Sequence, residues 1–305
     1  MICLVVGSIN IDTILNVKEM VKEGETKQIL KIESSFGGKG ANQAYTLAKL
    51  NNNVIFLSCV GNDENGKKAI ENLKKVRVNT RYIKQVKDKK TGEAFIEVDE
   101  KGNNRILINA GANECINEKY INEHIDIIKK SDVILLQLEI PIKTAFYVIE
   151  LAKKYNKIII LDPAPAVNDI PNEVLNGVDI IKPNEAELNI LTNKIKEKSI
   201  TQKCEYLYNL GIKNIIVSLG NKGSILYNKE GIKKFGIMPS EVVDTTAAGD
   251  SFTAAITSEI IKGKSIEEAI KYATLVSSIV VSKKGAQSSI PTYEEVERKR
   301  DLIWV

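Results

Sequence analysis

The sequence predicts an α/β protein, a mainly parallel sheet with helices on both faces and a smaller strand-rich unit inserted in its first third. Three observations carry this. Apolar runs such as ICLVVG at 2–7, VIFLSCV at 54–60 and VILLQLE at 133–139 do not alternate with polar residues, as expected of strands buried on both faces. From residue 117 onward, helical and apolar strand patterns follow one another steadily, the pattern of crossover units in a parallel sheet. In contrast, TGEAFIEVDEKGNNRILINA at 91–110 alternates about a polar turn at 99–104 and reads as a hairpin.

Composition narrows the function classes. The chain has 305 residues and a formal net charge of +4, with lysines scattered among many acids. A nucleic-acid binder would cluster its basic residues, so that class is disfavoured. No apolar run approaches the ~20 residues of a membrane span. The first residues, MICLVVGSINID, run into a strand without a basic region ahead of it, so no secretory signal is expected. The four cysteines, Cys3, Cys59, Cys115 and Cys204, are far apart, which argues against a zinc or redox pair and for a reduced, cytoplasmic setting. The single histidine, His124, falls in a polar helical segment and is expected at the surface. Proton transfer must therefore rest on carboxylates or lysines.

In chain order, ICLVVG leads into Gly7-Ser8-Ile9-Asn10-Ile11-Asp12. Asn10 and Asp12 share a side in an extended chain and could grip adjacent hydroxyls at a strand's C-terminal end, or simply shape a turn. Residues 14–17 and 26–32 read as strands. Phe36-Gly37-Gly38-Lys39-Gly40-Ala41-Asn42 is a glycine-rich turn into a helix, with Lys39 and Asn42 at its start. GNDENGKK at 61–68 imitates a phosphate-binding loop, but Lys68 stands where Ser or Thr would hold magnesium, and two acids lie within it; it reads as a loop and a helix start. Glu139 ends the strand at 133–139. KIIILDPAPA at 157–166 is a strand and stop. At 178–192 a strand is followed by Pro183 and a helix with Asn184, Glu185 and Glu187 in its first turn. IIVSLGNKGSILY at 215–227 is a hairpin, and 265–283 is a helix with small residues at packing positions.

VVDTTAAGDSFTAAITSEIIKG at 242–263 organises the rest. It reads as a strand end, a turn without bulk and a helix whose Phe252, Ala255, Ile256 and Ile260 share a face. The unpaired amides of a helix start form an anion site that small residues let a phosphate approach. Asp250 there could take the proton from a hydroxyl attacking phosphorus, or could be a helix N-cap. Ligands of open α/β sheets bind beyond the strands' carboxyl ends, where Asn10, Asp12, Glu139, Asn184, Ser218 and Asp250 would gather.

Together the motifs resemble the ribokinase group of the PfkB carbohydrate kinase family. GGKGANQA at 37–44 and VVDTTAAGDSF at 242–252 look like the family's two signatures. GSINID, NAGAN, LLQLE, LDPAPA, KPNEAE, SLGNKG and KKGAQSSIP appear between and around them in the family's order, from residue 2 to about 291. The resemblance implies a single ribokinase-like domain over 1–305, a Rossmann-like sheet with a small β-sheet lid formed by 13–36 and 91–110. It implies ATP-dependent phosphorylation of ribose on its 5-hydroxyl, with Mg²⁺ and K⁺. Asp250 would be the base, and the amides of Ala247, Ala248 and Gly249 the anion hole. Asn10, Asp12, Gly38, Lys39, Asn42 and Glu139, with Asp250, would line the sugar site. Asn184, Ser218, Leu219, Gly220, Asn221, Lys222, Gly223, Gly249 and Thr274 would hold ATP, Thr274 standing where the family often has histidine beside the adenine. Glu187 would order magnesium through water. Asp244, Thr246, Val280, Lys283, Gly285 and Ser289 would hold a monovalent cation, which an unpartnered, buried Asp244 would call for. The lid could pair two subunits into a homodimer.

Two rivals stand beside this reading. One is a kinase of the same fold acting on deoxyribose, another sugar or a nucleoside. A sugar phosphate would want more basic residues than Lys39 at the sugar site, and a nucleoside would want more aromatic surface than Phe36 and Phe95. The other is a sugar sensor without catalysis, which the presence of Asp250 and its turn disfavours.

Overall fold

The computed structural model describes residues 1–195 and 198–303. Its strands, in chain order, are β1 (Ile2–Val6), β2 (Asn10–Val17), β3 (Ile29–Gly37), β4 (Asn53–Gly61), β5 (Ile83–Val86), β6 (Gly92–Val98), β7 (Asn104–Asn109), β8 (Val133–Gln137), β9 (Ile158–Asp162), β10 (Ile180–Ile181), β11 (Asn214–Ser218), β12 (Ser224–Asn228) and β13 (Gly231–Phe235). Nine of them form one sheet in the order β13-β12-β11-β10-β9-β8-β1-β4-β5. All neighbours from β11 to β5 pair in parallel, and β12 and β13 add an antiparallel edge. The expected α/β architecture is present.

The unbroken apolar strands bury both faces. Cys3 and Val5 of β1 belong to one hydrophobic cluster, while Leu4 and Val6 belong to another on the opposite face. The first cluster receives helices α1 (Lys39–Lys49), α4 (Ala248–Ile261) and α5 (Ile266–Val280). Helix α2 (Glu64–Lys75) joins the same layer, and α3 (Glu185–Leu191) follows β10. Helix α4 is not one-faced as its apolar spacing suggests: every residue from Asp250 to Glu259 is buried. A helix covered on all sides is held by its whole surface, which fixes the position of its first turn.

The second sheet has the order β3-β2-β6-β7. Its β2 starts at Asn10, so Asn10 and Asp12 open a strand of the small sheet rather than closing β1. The chain leaves the large sheet at Val6 and enters the small one four residues later, and this crossing places both polar side chains at the junction. Toward its edge, the small sheet exposes Ile106, Leu107 and Ile108 on β7 and Leu30 and Ile32 on β3.

Candidate active site

Gly38 and Gly40 set the entry into α1. Gly38 has φ +87°, a conformation that side chains with a Cβ rarely adopt, and a Cβ on Gly40 would lie 2.6 Å from the backbone of Gly7. The Ala41 amide then donates to the Ser8 carbonyl at 2.9 Å. This close seat places Lys39 and Asn42 on the first turn, against the junction of the two sheets.

The start of α4 faces them. Its N-cap is Ala247, left-handed at φ 61° and without a side-chain cap, so the cap reading of Asp250 does not hold. Asp250 lies within the first turn and is 7% exposed. Its Oδ2 accepts a hydrogen bond from Asn42 Nδ2 at 2.8 Å, and Lys39 Nζ lies 3.9 Å from Oδ1. Among the three amides expected to form an anion hole, that of Ala248 is already spent on the Thr245 carbonyl at 3.2 Å. The amides of Ala247, Gly249 and Asp250 have no protein acceptor among the described residues. The uncommitted set is thus Ala247, Gly249 and Asp250.

Glu139 Oε2 accepts from Ser8 Oγ at 2.6 Å and from the Lys39 amide at 3.0 Å. Asp12 is buried, with its carboxylate over Gly37, where a Cβ would come within 2.1 Å of it. Burial, then the charges of Glu139 and Asp250, push the Asp12 carboxyl up to about 7, against the pull of Lys39. Burial also raises Glu139, opposed by Lys39 and Ser8. The Lys39 ammonium is held well above its ordinary value, first by Asp250, in spite of desolvation. Asn10, Ile108, Ala110, Asn113, Glu139, Ile140 and Pro165 line a cavity of about 500 Å³ between the sheets.

Several positioning residues escaped the sequence reading. Asn113 donates from Nδ2 to Asn10 Oδ1 at 2.8 Å and to the Ile9 carbonyl at 3.2 Å, while its Oδ1 accepts from the Ile9 amide at 3.0 Å. This fixes Asn10 with its NH₂ outward as a donor. Gln287 Nε2 donates to Asn42 Oδ1 at 3.2 Å, which orients the Asn42 NH₂ toward Asp250. Both residues lie in motifs the sequence shows, NAGAN and KKGAQSSIP, but their roles depend on contacts about 100 and 245 residues away in sequence.

On the other side of α4, Asn184 caps α3 in a reciprocal box: its Oδ1 takes the Glu187 amide and Glu187 Oε2 takes the Asn184 amide, both at 2.8 Å. Asn184 bridges to Ser218 in parallel, and the Gly220–Lys222 turn follows. Gly223, at φ +88°, admits the close approach of the Phe235 carbonyl. Leu219 is half-buried, and Gly220, Asn221 and Lys222 are exposed along this rim. Thr274 is half-buried on α5 and donates its hydroxyl to the Ile270 carbonyl of its own helix.

Asp244 differs from the expectation of a buried, unpartnered carboxylate. It is half-exposed, Thr246 donates to Oδ1 from N and Oγ1 at 2.9 and 2.6 Å, and Gly285 N donates to Oδ2 at 2.9 Å. Burial raises its pKa, but these bonds outweigh that and hold it below the usual carboxylate range. The loop does return: Val243 and Asp244 donate to the Val281 carbonyl, and Lys283 N to that of Val280. Ser289 Oγ is bonded to the Ala286 carbonyl at 2.7 Å. The 61–68 loop is closed as expected, since Asp63 accepts from Gly66 N at 2.8 Å and from Thr91. His124 is not a free surface residue but sits edge-on between Tyr82 and Tyr120.

Comparison with known proteins adds to this geometry. The model of the pfkB family of carbohydrate kinases matches residues 2–293. A ribokinase of Haemophilus influenzae is 37% identical over 297 residues, covering 95% of each chain. A deoxyribokinase of Salmonella typhi is 35% identical over 293 residues, covering 95% of this chain and 96% of its own. The structure of Arabidopsis thaliana ribokinase complexed with ribose and ATP superposes with a TM-score of 0.90 at 36% identity, covering 97% of both chains.

Proposed function

Because the chain belongs to the pfkB family of carbohydrate kinases, we propose that it transfers the terminal phosphoryl group of ATP to the 5-hydroxyl of ribose, giving ribose 5-phosphate and ADP. The observation that carries this is the pairing of a buried aspartate with an uncapped helix start. Asp250 is kept off its own helix amides by Asn42 and Lys39, so carboxylate and amides stand side by side as base and anion hole.

Phosphoryl transfer asks a protein mainly for positioning and charge neutralisation. Asn10, Asp12, Gly38, Lys39, Asn42 and Glu139 hold the sugar so that its 5-hydroxyl meets Asp250. Asp250 takes the proton as the oxygen attacks phosphorus. The amides of Ala247, Gly249 and Asp250 receive the phosphoryl oxygens, and Lys39 balances charge from the sugar side. Asn184, Ser218, the turn from Leu219 to Gly223 and Thr274 form the nucleotide side. The residues suit a magnesium ion carried mainly by phosphates and water: among the described residues no three His, Cys, Asp or Glu side chains converge, and Glu187 keeps one oxygen outside its capping bond. Glu187 would hold it, and the ion would neutralise phosphate charge.

A potassium ion suits Asp244 with Thr246, Ser289 and the backbone of Val280, Lys283 and Gly285. Lys283 and Lys284 pair with Glu295 and Glu33, and Asp244 makes no ion pair among the described residues. Initial rates at constant ionic strength should rise when potassium replaces choline, and a flat response would remove the cation from this account. The small sheet would act as a lid over the sugar, and its exposed Leu107, Leu30 and Ile32 support a homodimer formed through it. Four free cysteines support a cytoplasmic setting, and no described helix is long and apolar enough to cross a membrane.

The test is ADP release with ribose, 2-deoxyribose, fructose 6-phosphate and adenosine side by side. Ribose should give the highest kcat/KM, exceeding 2-deoxyribose by about tenfold or more, since an absent hydroxyl leaves buried polar groups unpaired. Parity with 2-deoxyribose would move the chain to the activity named for the Salmonella relative.

A further inference from the structure

Beneath the first turn of α4 lies a cation that the mechanism above does not use. Lys182 is 4% exposed, and its Nζ lies 3.2 Å from Asp162 Oδ1. A Cβ built on Gly249 would be 3.7 Å from that ammonium, nearer than any other heavy atom within 4 Å. The other oxygen of Asp162 accepts from Gln43 Nε2 at 2.9 Å and from Thr253 Oγ1 at 3.0 Å. Thr253 Oγ1 also lies 3.0 Å from the Gly249 carbonyl. Asp162 is therefore tied to α1 through Gln43 and to α4 through Thr253, and it pairs with the lysine.

The pair is poorly explained as scaffolding. A buried ion pair contributes little over an apolar replacement of the same shape. An ammonium has three N–H donors, and among the described residues Asp162 is the one partner close to this one. Asp162 Oδ1 has no well-aligned hydrogen-bond donor, so its contact with the ammonium is an ion pair without a directed hydrogen bond. The charge balance points the same way. Asp12, Glu139, Asp250, Asp162 and Glu187 are buried or half-buried about the site, and among the described residues the lysines buried or half-buried beside them are Lys39 and Lys182, Lys39 being drawn first to Asp250. A polyphosphate arriving at the amides of α4 adds further negative charge, and Lys182 is the buried cation on that side, Lys222 standing exposed on the rim.

We propose that Lys182 is a phosphate-binding residue, its ammonium moving from Asp162 toward the terminal phosphoryl group when that group occupies the start of α4. This rests on the kinase reading above, and it extends that reading to how charge is balanced on the nucleotide side. Burial raises the Glu187 carboxyl, against its bond from the Asn184 amide and the pull of Lys182.

The experiment is calorimetric binding of AMP, ADP and the β,γ-methylene analogue of ATP, all with magnesium, and of ribose, to the full chain. Lys182→Met should lose about 10–100-fold of the affinity added on going from ADP to the analogue. It should keep AMP and ribose affinity within about threefold. The double variant Lys182→Met/Asp162→Asn leaves no unpaired carboxylate and should behave the same, which guards against misfolding of the single variant. Lys182→Arg should retain most of the increment. An unchanged increment in folded Lys182→Met, or an equal loss for all four ligands, would overturn the proposal, as would failure of both neutral variants to fold. Because the readout is nucleotide affinity, a native enzyme that ignores ribose would defeat the kinase assignment for that sugar while leaving this result to stand alone.

Discussion

Two helix starts in this molecule have a glycine close by and carry an aspartate, and they do opposite things. At α2, Asp63 sits at the N-cap and takes the Gly66 amide, and Thr91 adds two more donors to the same carboxylate. At α4, the N-cap is Ala247 and Asp250 is three residues further on, turned away to Asn42 and Lys39. The first helix start is satisfied by its own chain. The second leaves the amides of Ala247, Gly249 and Asp250 without an acceptor among the described residues, and the proposed function fills them with phosphate and gives the carboxylate the proton. Proximity of glycine, helix and acid therefore does not define a phosphate site; what matters is whether the acid has capped the amides.

The sharpest way to break the comparison is to neutralise the second aspartate. Asp250→Asn keeps the shape and the possibility of a hydrogen bond, but it cannot accept the proton. Turnover should fall by about 10²–10⁴-fold, with ribose affinity reduced far less. A near-native rate would return Asp250 to a structural role like that of Asp63.

Next in size is to convert one helix start into the other. Ala247→Asp supplies α4 with the cap it lacks, at a left-handed position that aspartate tolerates. The new carboxylate would bond the amides and repel phosphate. kcat/KM for ATP should drop by about 10²-fold while the melting temperature holds or rises. A variant that is fully active would show that the amides are not where phosphate lands.

A tenfold effect should come from Asp12. Its folded pKa of about 7 lies above the ordinary aspartate value. The folded state holds a proton that the unfolded state has released, so stability should fall as pH rises from about 4 to 7. In the proposed role the ionised Asp12 carboxylate accepts from ribose, so the KM for ribose should increase about tenfold from pH 8 to pH 6. The KM for ATP should stay nearly level, and Asp12→Asn should flatten the ribose profile. A flat profile in the native enzyme would remove Asp12 from the sugar contacts.

The smallest kinetic effect belongs to α2. Asp63→Ala should lower stability by about 1–2 kcal/mol, as loss of an N-cap does, with turnover unchanged. Thermal unfolding and initial rate on the same sample separate the two.

These contrasts also mark how far the sequence could be read. The α/β class was legible because strands buried on both faces carry no alternation, and the closed loop at 61–68 was legible because its acids stand at the cap. Asp250 was ambiguous from its neighbours, since its partner Asn42 lies 208 residues away. The left-handed Ala247 was hidden because alanine rarely adopts that conformation. Asn10 and Asp12 open β2 rather than closing β1, because nothing local says that the chain changes sheets between Val6 and Asn10. Lys182 and Asp162 read as strand ends twenty residues apart, and only strand pairing in the large sheet brings them together.

The most direct measurement is the position of the phosphate in the product. Phosphorus NMR of a reaction with ribose, ATP and magnesium should show a phosphomonoester coupled to the two C5 protons, formed in step with ADP. A phosphate on the anomeric oxygen, or ADP formed with no sugar phosphate at all, would contradict the placement of the 5-hydroxyl against Asp250 at the open start of α4.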